Sequence, residues 1–292
     1  MHSPTQPILC CIGNSVGGVP IQFMMERALN DRGMDWRVIT VEIVDEELET
    51  ALQGMHSMKF SAVSFFAELQ DKAAQVIDPD DRISRFVGSV SGAMYQSAGW
   101  LAWHSFGPAT LQLLGHEGEL ENSWIWLSGD SVRTRSLYAS LHQAAESCRL
   151  VWSHAPDISC LNETESNEHS DAPESQAAMT GLDVHQLGDE QSASDFLLEA
   201  FERDQPSPAK LLVIGDNLQK LHPHLHSLSR HYELTLLAGG QTDPKAPLDI
   251  PGRVLSEADL FVASIAYDFW RWTGITADLS SLREAYEEYC DF

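Results

Sequence analysis

Basic residues are scarce in this chain of 292 residues. There are 18 Lys and Arg against 43 Asp and Glu, which gives a formal net charge of −25 at pH 7. A field of that sign repels phosphate backbones and anionic lipid headgroups, so we expect no nucleic-acid and no membrane partner. Long apolar runs are lacking as well, because none reaches the roughly 20 residues that span a bilayer.

Cysteine is also sparse, and its spacing argues against two classes of protein. The five cysteines are odd in number and form no CxxC pair, so we expect neither a disulfide scaffold nor a structural zinc site. The amino-terminal segment has no basic stretch, and Gly13 and Asn14 interrupt its apolar run, which is not typical of a signal peptide. We therefore expect a cytoplasmic protein.

Strand-like and helix-like segments alternate in the first third of the chain. Residues 7–12, 37–44 and 61–66 are short apolar or β-branched runs, which predict buried strands. Residues 20–32 and 46–55 lie between them and are predicted helices. This rhythm of strand, helix and strand predicts a parallel α/β sheet.

A second α/β unit is predicted to begin near Ser123. Its expected elements are a helix over 134–147 and strands over 124–127, 150–152, 210–215 and 233–237. Between Arg149 and Arg203 there is no Lys or Arg, and residues 162–176 are rich in Glu, Ser, Asn and Asp. Such a stretch cannot bury apolar surface, so we expect an exposed acidic insertion.

Several short motifs resemble one family. They are Ile12-Gly13-Asn14-Ser15-Val16, Gly33, Val87-Gly88-Ser89-Val90-Ser91, Phe106-Gly107-Pro108 and Phe269-Trp270-Arg271-Trp272-Thr273-Gly274. Together they resemble the shikimate dehydrogenases, without gaps over residues 9–112 and by element order beyond. The resemblance implies an α/β fold with a substrate domain (1–112), a Rossmann-like domain carrying the acidic insertion (113–260), and carboxy-terminal helices (261–292) that return to the first domain.

The resemblance also implies a chemistry, which is hydride transfer between NADPH and a ring carbonyl in aromatic amino acid biosynthesis. A Lys and an Asp of the family handle the proton, and they fall on Gln70 and Phe106, with Lys72 two residues further on. The other substrate-pocket positions of the family are also mostly changed here. They fall on Val19, Ile21, Ser64, Phe66, Ser91 and Ser264.

The cofactor turn departs from the family pattern too. A dinucleotide-binding turn needs several glycines so that the backbone approaches the pyrophosphate. The corresponding segment has Gly129 alone, and Asp130 adds a like charge. The cofactor-binding positions are Ser128, Asp130, Ser131 and Arg133, with Arg135 as a further candidate for phosphate contact and His154 as the candidate for a 2′-phosphate.

These departures predict a catalytically degenerate protein that keeps the fold to bind an unidentified small ligand or a partner. We expect no cofactor and no metal. The alternative is an NAD(P)-dependent oxidoreductase, either a shikimate 5-dehydrogenase that uses NADP or an enzyme for a less polar substrate. A homodimer stays open. So do a general base at His104 and a metal site at His222, His224 and His226, which share one face if that segment is extended.

Overall fold

A computed structural model describes most of the chain. The described residues are 6–77, 82–97, 99–116, 120, 123–144, 148–158, 161, 182–204, 209–215, 217–237 and 252–291. The predicted acidic insertion at 162–176 lies outside them. The chain divides into two compact units: unit 1 is Met1–Thr110 with Ala258–Phe292, and unit 2 is Leu111–Glu257.

Unit 1 is built on a five-stranded sheet of order β2-β1-β3-β4-β5. The strands are β1 (Ile8–Gly13), β2 (Arg37–Glu42), β3 (Ala62–Phe65), β4 (Gly92–Gln96) and β5 (Gly99–Trp103). The helices in the same part of the chain are α1 (Ile21–Asp31), α2 (Leu48–Ser57), which follows a 3-10 turn at Asp45–Glu47, α3 (Ala67–Ile77), α4 (Arg82–Val87) and α5 (Phe106–His116).

The first three strands run parallel, whereas β4 and β5 are antiparallel. The central strands β1 and β3 are buried over nearly their whole lengths. This burial explains why they are continuous apolar runs rather than alternating ones. It also raises the pKa of the Cys10 thiol, in the middle of β1, to about 12, so that thiol is inert as a nucleophile.

The last helices belong to unit 1, as the fold class predicted. They are α9 (Glu257–Thr273), which begins at the unit boundary, and α10 (Leu279–Cys290). Helix α10 packs on α1, where Arg27 forms an ion pair of 2.6 Å with Glu288 and Phe23 lies against Tyr289. The return of the chain end to the first domain is therefore confirmed.

Unit 2 carries a six-stranded parallel sheet. Its strands are β6 (Ser123–Ser128), β7 (Arg149–Ser153), β8 (Asp183–Leu187), β9 (Lys210–Gly215), β10 (Glu233–Leu237) and β11 (Arg253–Leu255). They lie in the order β11-β10-β9-β6-β7-β8. Read from β8 to β11, with β6 counted as the first strand in chain order, this is the 3-2-1-4-5-6 order of the doubly wound Rossmann fold. The helices are α6 (Val132–Ala144), α7 (Glu190–Asp204) and α8 (Leu218–Leu228). The predicted fold class is confirmed.

The histidine segment is helical, so the extended alternative is wrong. Helix α8 stacks His222 on His226 with ring centroids 6.5 Å apart, while His224 lies beside Trp126. Three histidines of alternate positions cannot share one face of a helix. Across the described residues there is no group of three His, Cys, Asp or Glu that could hold a metal. Nor does any helix in that part of the chain have the length and apolarity to cross a membrane.

Candidate functional site

The loop after β1 and the residues after β3 form the carboxyl edge of the unit 1 sheet, named here the unit 1 edge. Gly13 ends β1, and a Cβ on it would lie 2.5 Å from the Phe66 ring and 2.8 Å from Glu68 Oε1. Only glycine lets those side chains approach so closely. Because of this approach, Glu68 Oε1 accepts a hydrogen bond of 2.9 Å from the backbone N–H of Asn14.

A second carboxylate completes this arrangement. The Asn14 side-chain amide donates a 2.6 Å hydrogen bond to Asp45 Oδ1. The backbone N–H of Ser15 also points to Glu68 Oε1, at 3.5 Å. Donors of the loop are thus bound by carboxylates of the chain itself. Sequence reasoning singled out neither Glu68 nor Asp45.

The predicted pocket positions near this edge are mainly apolar or already bonded. Phe66 and Ile21 are buried, and Val19 is half-buried. Ser64 is buried in the middle of the sheet. Gln70 donates from Nε2 to the carbonyl of Phe65 at 3.1 Å, so its amide holds the end of β3.

Ser91 ends one motif of the resemblance, Ser105 directly precedes another, and the fold brings the two side chains together. Their hydroxyl oxygens lie 2.8 Å apart, and the Ser105 N–H donates to Ser91 Oγ at 2.9 Å. Both side chains are buried. By contrast, Ser264 donates to the carbonyl of Leu260 within its own helix, and Phe106 is buried at the start of α5.

Asp268 is a fully buried acid next to these serines, and sequence reasoning missed it. Its Oδ1 accepts a 2.7 Å hydrogen bond from Trp103 Nε1, and the Arg271 guanidinium lies 4.5 Å from the centre of the Trp103 ring. Burial raises the Asp268 pKa to about 7, although hydrogen bonds from Trp103 and Ser105 and the charge of Arg271 act to lower it. The sequence did offer one indication of its importance: Asp268 is an acid in an otherwise apolar helix, one turn after the pocket position Ser264.

The carboxyl ends of β6 and β7, with the first turn of α6, form the unit 2 edge. Gly129 has a φ of +90°, and both of its backbone groups are bound: its N–H donates to the Ser153 carbonyl at 3.0 Å and its carbonyl accepts from Trp152 Nε1 at 2.8 Å. Ser131 and Thr134 cap the helix reciprocally through backbone N–H groups at 2.9 and 3.3 Å. Some of the backbone N–H groups that could bind an anion at the start of this helix are therefore already hydrogen-bonded within the chain.

Both arginines of the first turns of α6 are held by carboxylates. Arg135 binds Asp130 in a bidentate ion pair of 2.5 and 2.7 Å, which raises the arginine pKa. Arg133 binds Glu257 with two contacts of 2.7 Å. Sequence reasoning missed Glu257, which is 124 residues away.

A third carboxylate, that of Glu190, contacts residues at the carboxyl ends of β6 and β7. Glu190, at the start of α7, accepts from Ser128 Oγ at 3.3 Å and lies 3.1 Å from His154 Nε2. Burial raises the Glu190 pKa, but hydrogen bonds from its own N–H, from His154 and from Ser128 outweigh this effect, so the net pKa is lowered. His154, the candidate for a 2′-phosphate, therefore faces an ionised carboxylate.

Solved structures match the chain over nearly its whole length. The shikimate dehydrogenase of Mycobacterium tuberculosis covers 97% of this chain and 99% of its own, with 15% identity and a TM-score of 0.68. The chain has the shikimate dehydrogenase fold. The 5-ketofructose reductase of Gluconobacter sp. strain CHM43 matches with 13% identity, 98% and 99% coverage and a TM-score of 0.68. No protein-family model and no curated protein sequence gives a match.

Several matches of the shikimate dehydrogenase fold have ligands bound. The Thermus thermophilus enzyme, in complex with NADP(H) and shikimate, shares 15% identity, 97% and 100% coverage and a TM-score of 0.65. The fold of this chain is thus one used by NAD(P)-dependent oxidoreductases. At such identity the likeness concerns the fold, and the function rests on the residues of the two edges.

Proposed function

We propose that this chain keeps the shikimate dehydrogenase fold as a non-catalytic binding protein and does not carry out NADP-dependent hydride transfer. One observation carries the proposal. At both edges, carboxylates of the chain itself bind the donors and cations that an anionic ligand would need. Glu68 does so at the unit 1 edge, and Asp130 and Glu257 do so at the unit 2 edge.

The unit 2 edge does not fit the pyrophosphate of a dinucleotide. A pyrophosphate is bound by free backbone N–H groups and a helix N-terminus reached over several glycines. Here Gly129 is bonded on both backbone sides, and Arg135 already neutralises Asp130. A bound pyrophosphate would have to break these bonds and lie close to the Asp130 carboxylate. We therefore expect no NADP binding of functional strength.

The proton-handling pair is also missing from its expected positions. Gln70 carries a neutral amide that cannot exchange a proton near pH 7, and it is bonded to β3. Lys72 does not replace it, because α3 is helical from Ala67 to Ile77 and residues two apart point about 200° away from each other. Phe106 offers no ionisable group.

The pocket positions favour a ligand less polar than shikimate. Val19, Ile21 and Phe66 provide no hydrogen bonds for a carboxylate or hydroxyls, and each unpaired buried polar group costs about 1–3 kcal/mol. This observation favours one second candidate, an oxidoreductase for a less polar substrate. That candidate requires nicotinamide cofactor binding, so a cofactor titration separates it from the first.

The test is an attempt to restore activity. The wild-type chain and the double variant Gln70→Lys, Phe106→Asp are mixed with shikimate and NADP, and NADPH formation is followed by absorbance. We expect no turnover from either, since the pair is restored without a cofactor site or a polar pocket. Circular dichroism melting shows whether the variant is folded. Turnover of about 1–1000 per second, the ordinary range of enzymes, by either protein would refute the proposal.

A thermal-shift screen follows for the ligand itself. The probes are shikimate, quinate, aromatic acids and nicotinamide cofactors, because a ligand that binds only the folded state raises its melting temperature. The proposal expects the cofactors to leave the melting temperature unchanged. A cofactor that raises it would favour the oxidoreductase.

A further inference from the structure

A cavity of about 280 Å³ lies in unit 1. Its walls come from helices α2 and α3 and from the β4–β5 hairpin. The nearby Tyr95 N–H donates to the carbonyl of Ser61, which precedes β3. The cavity therefore lies at the amino end of β3, whereas the unit 1 edge lies at its carboxyl end.

The floor and walls of the cavity are apolar and aromatic. Leu52, Val76 and Ile77 supply the aliphatic surface. Tyr95 stacks obliquely on His56, with ring centroids 4.3 Å apart, and meets Trp100 edge to face at 5.3 Å. The Tyr95 and Trp100 planes stand at 84° to each other and form an aromatic corner. A planar ligand of one or two fused rings can stack on one of these rings and meet the edge of the other.

One polar atom of this wall is buried without a partner. His56 Nε2 lies 3.4 Å from the Tyr95 hydroxyl, whereas His56 Nδ1 makes no hydrogen bond within the described part of the chain. A buried polar atom without a partner is costly. Because Nδ1 is also closed off from solvent, a ligand in the cavity does not reach it, and His56 acts on the cavity through its ring contact with Tyr95.

The charge at the cavity is negative. Among the eight lining residues, Glu49 alone carries a full charge, and Gln53 donates to it at 3.4 Å. Residues 49, 52, 53 and 56 share one face of α2, so Glu49 lines the cavity two turns before His56. The net charge of −25 adds a field that attracts cations.

We propose that this cavity binds a small aromatic amine. The ring of the ligand would lie against Tyr95 and Trp100. Its ammonium group would donate to the Glu49 carboxylate, which pairs a group that has only donors with the one full charge among the lining residues. This site is independent of the proposed function, because it shares no residue with either edge.

The experiment titrates the full chain with tryptamine by isothermal calorimetry. Indole-3-propionate is the control ligand, because it has the same ring with the opposite charge. The test variants are Glu49→Gln, which removes the charge at an exposed position, and Trp100→Leu, which removes the wall. Glu47→Gln is the matched control, since it is an exposed acid of the same segment that does not line the cavity.

We expect one saturable site for tryptamine, weakened about fivefold or more by Glu49→Gln and by Trp100→Leu, and unchanged by Glu47→Gln. Indole-3-propionate should bind at least about tenfold more weakly. Absence of saturable binding up to about 10 mM tryptamine would overturn the proposal. So would equal affinities in Glu49→Gln and Glu47→Gln. If Trp100→Leu melts at a lower temperature, the Glu49 pair of variants still decides the question.

Discussion

Carboxylates are held in opposite ways in unit 1 and in unit 2. Asp268 of unit 1 is 2% exposed and receives neutral hydrogen bonds from Trp103 and Ser105. Asp130 of unit 2 has a side chain that is 38% exposed and is paired directly with Arg135. The buried acid resists ionisation, whereas the exposed acid lies in a direct contact of 2.5 Å with the guanidinium of its neighbour.

The comparison separates stability from binding. Burying a carboxylate without a direct ion pair costs free energy that depends on pH. An exposed ion pair contributes little to the free energy of unfolding, but it removes an arginine from any phosphate. We therefore expect substitutions at Asp268 to change the free energy of unfolding strongly, and substitutions at Asp130 and Arg135 to change it little.

The largest effect is expected from Asp268→Asn, which keeps the shape and removes the charge. The folded-state pKa of Asp268 is raised from 3.8 to about 7. The folded state thus favours the protonated form of Asp268. The contribution of this preference to the free energy of unfolding is fully present below about pH 4 and is lost as the pH rises through about 7. Relative to wild type, the variant should gain on the order of 2–4 kcal/mol in free energy of unfolding between about pH 4 and about pH 8.

Urea unfolding at a series of pH values measures this difference directly. The matched control is Asp71→Asn, which changes an exposed acid of α3 and should show the same pH dependence as wild type. The remaining carboxylates titrate in every variant, so they cancel in the comparison. A flat difference for Asp268→Asn would show that the buried acid is ionised at no cost.

A smaller effect is expected at the unit 1 edge from Gly13→Ala. The new methyl group would meet the Phe66 ring at 2.5 Å and Glu68 at 2.8 Å, and such overpacking costs about 1–3 kcal/mol. Chemical denaturation measures it. Gly17→Ala is the control, because a Cβ at that loop position meets nothing within 4 Å. Equal stabilities would mean that Glu68 does not closely cover the loop.

The smallest effect is expected from the ion pair of unit 2. In a double-mutant cycle of Asp130→Asn and Arg135→Gln, the coupling in the free energy of unfolding should be about 0.5 kcal/mol or less. Raising the salt concentration should reduce it further. A coupling above about 2 kcal/mol would place this pair with buried ion pairs and erase the contrast with Asp268.

Local patterns were sufficient to predict much of the fold. The alternation of apolar runs predicted the parallel strands, and the motif near Phe269 placed the final helices with unit 1. The sequence allows a metal site at His222, His224 and His226 only if that segment is extended. Leu218, Leu221, Leu225 and Leu228 follow helical spacing and are all buried in α8, so the apolar period was the better guide.

The site was harder to predict because its partners are remote along the chain. Gln70 and Phe106 could be located by resemblance, but Trp103 meets Asp268 across 165 residues. Arg133 meets Glu257 across 124 residues. Neither pairing leaves a local pattern. Even Glu68, 54 residues from Asn14, resembles an ordinary acid in the first turn of a helix until the loop folds onto it.

The most direct measurement of the central claim is a calorimetric titration of the full chain with NADPH. The unit 2 edge has its arginines bound by Asp130 and Glu257, so we predict no saturable binding up to about 1 mM NADPH. An unchanged melting temperature with NADPH serves as the second readout. A dissociation constant in the low micromolar range would contradict the account and restore the oxidoreductase.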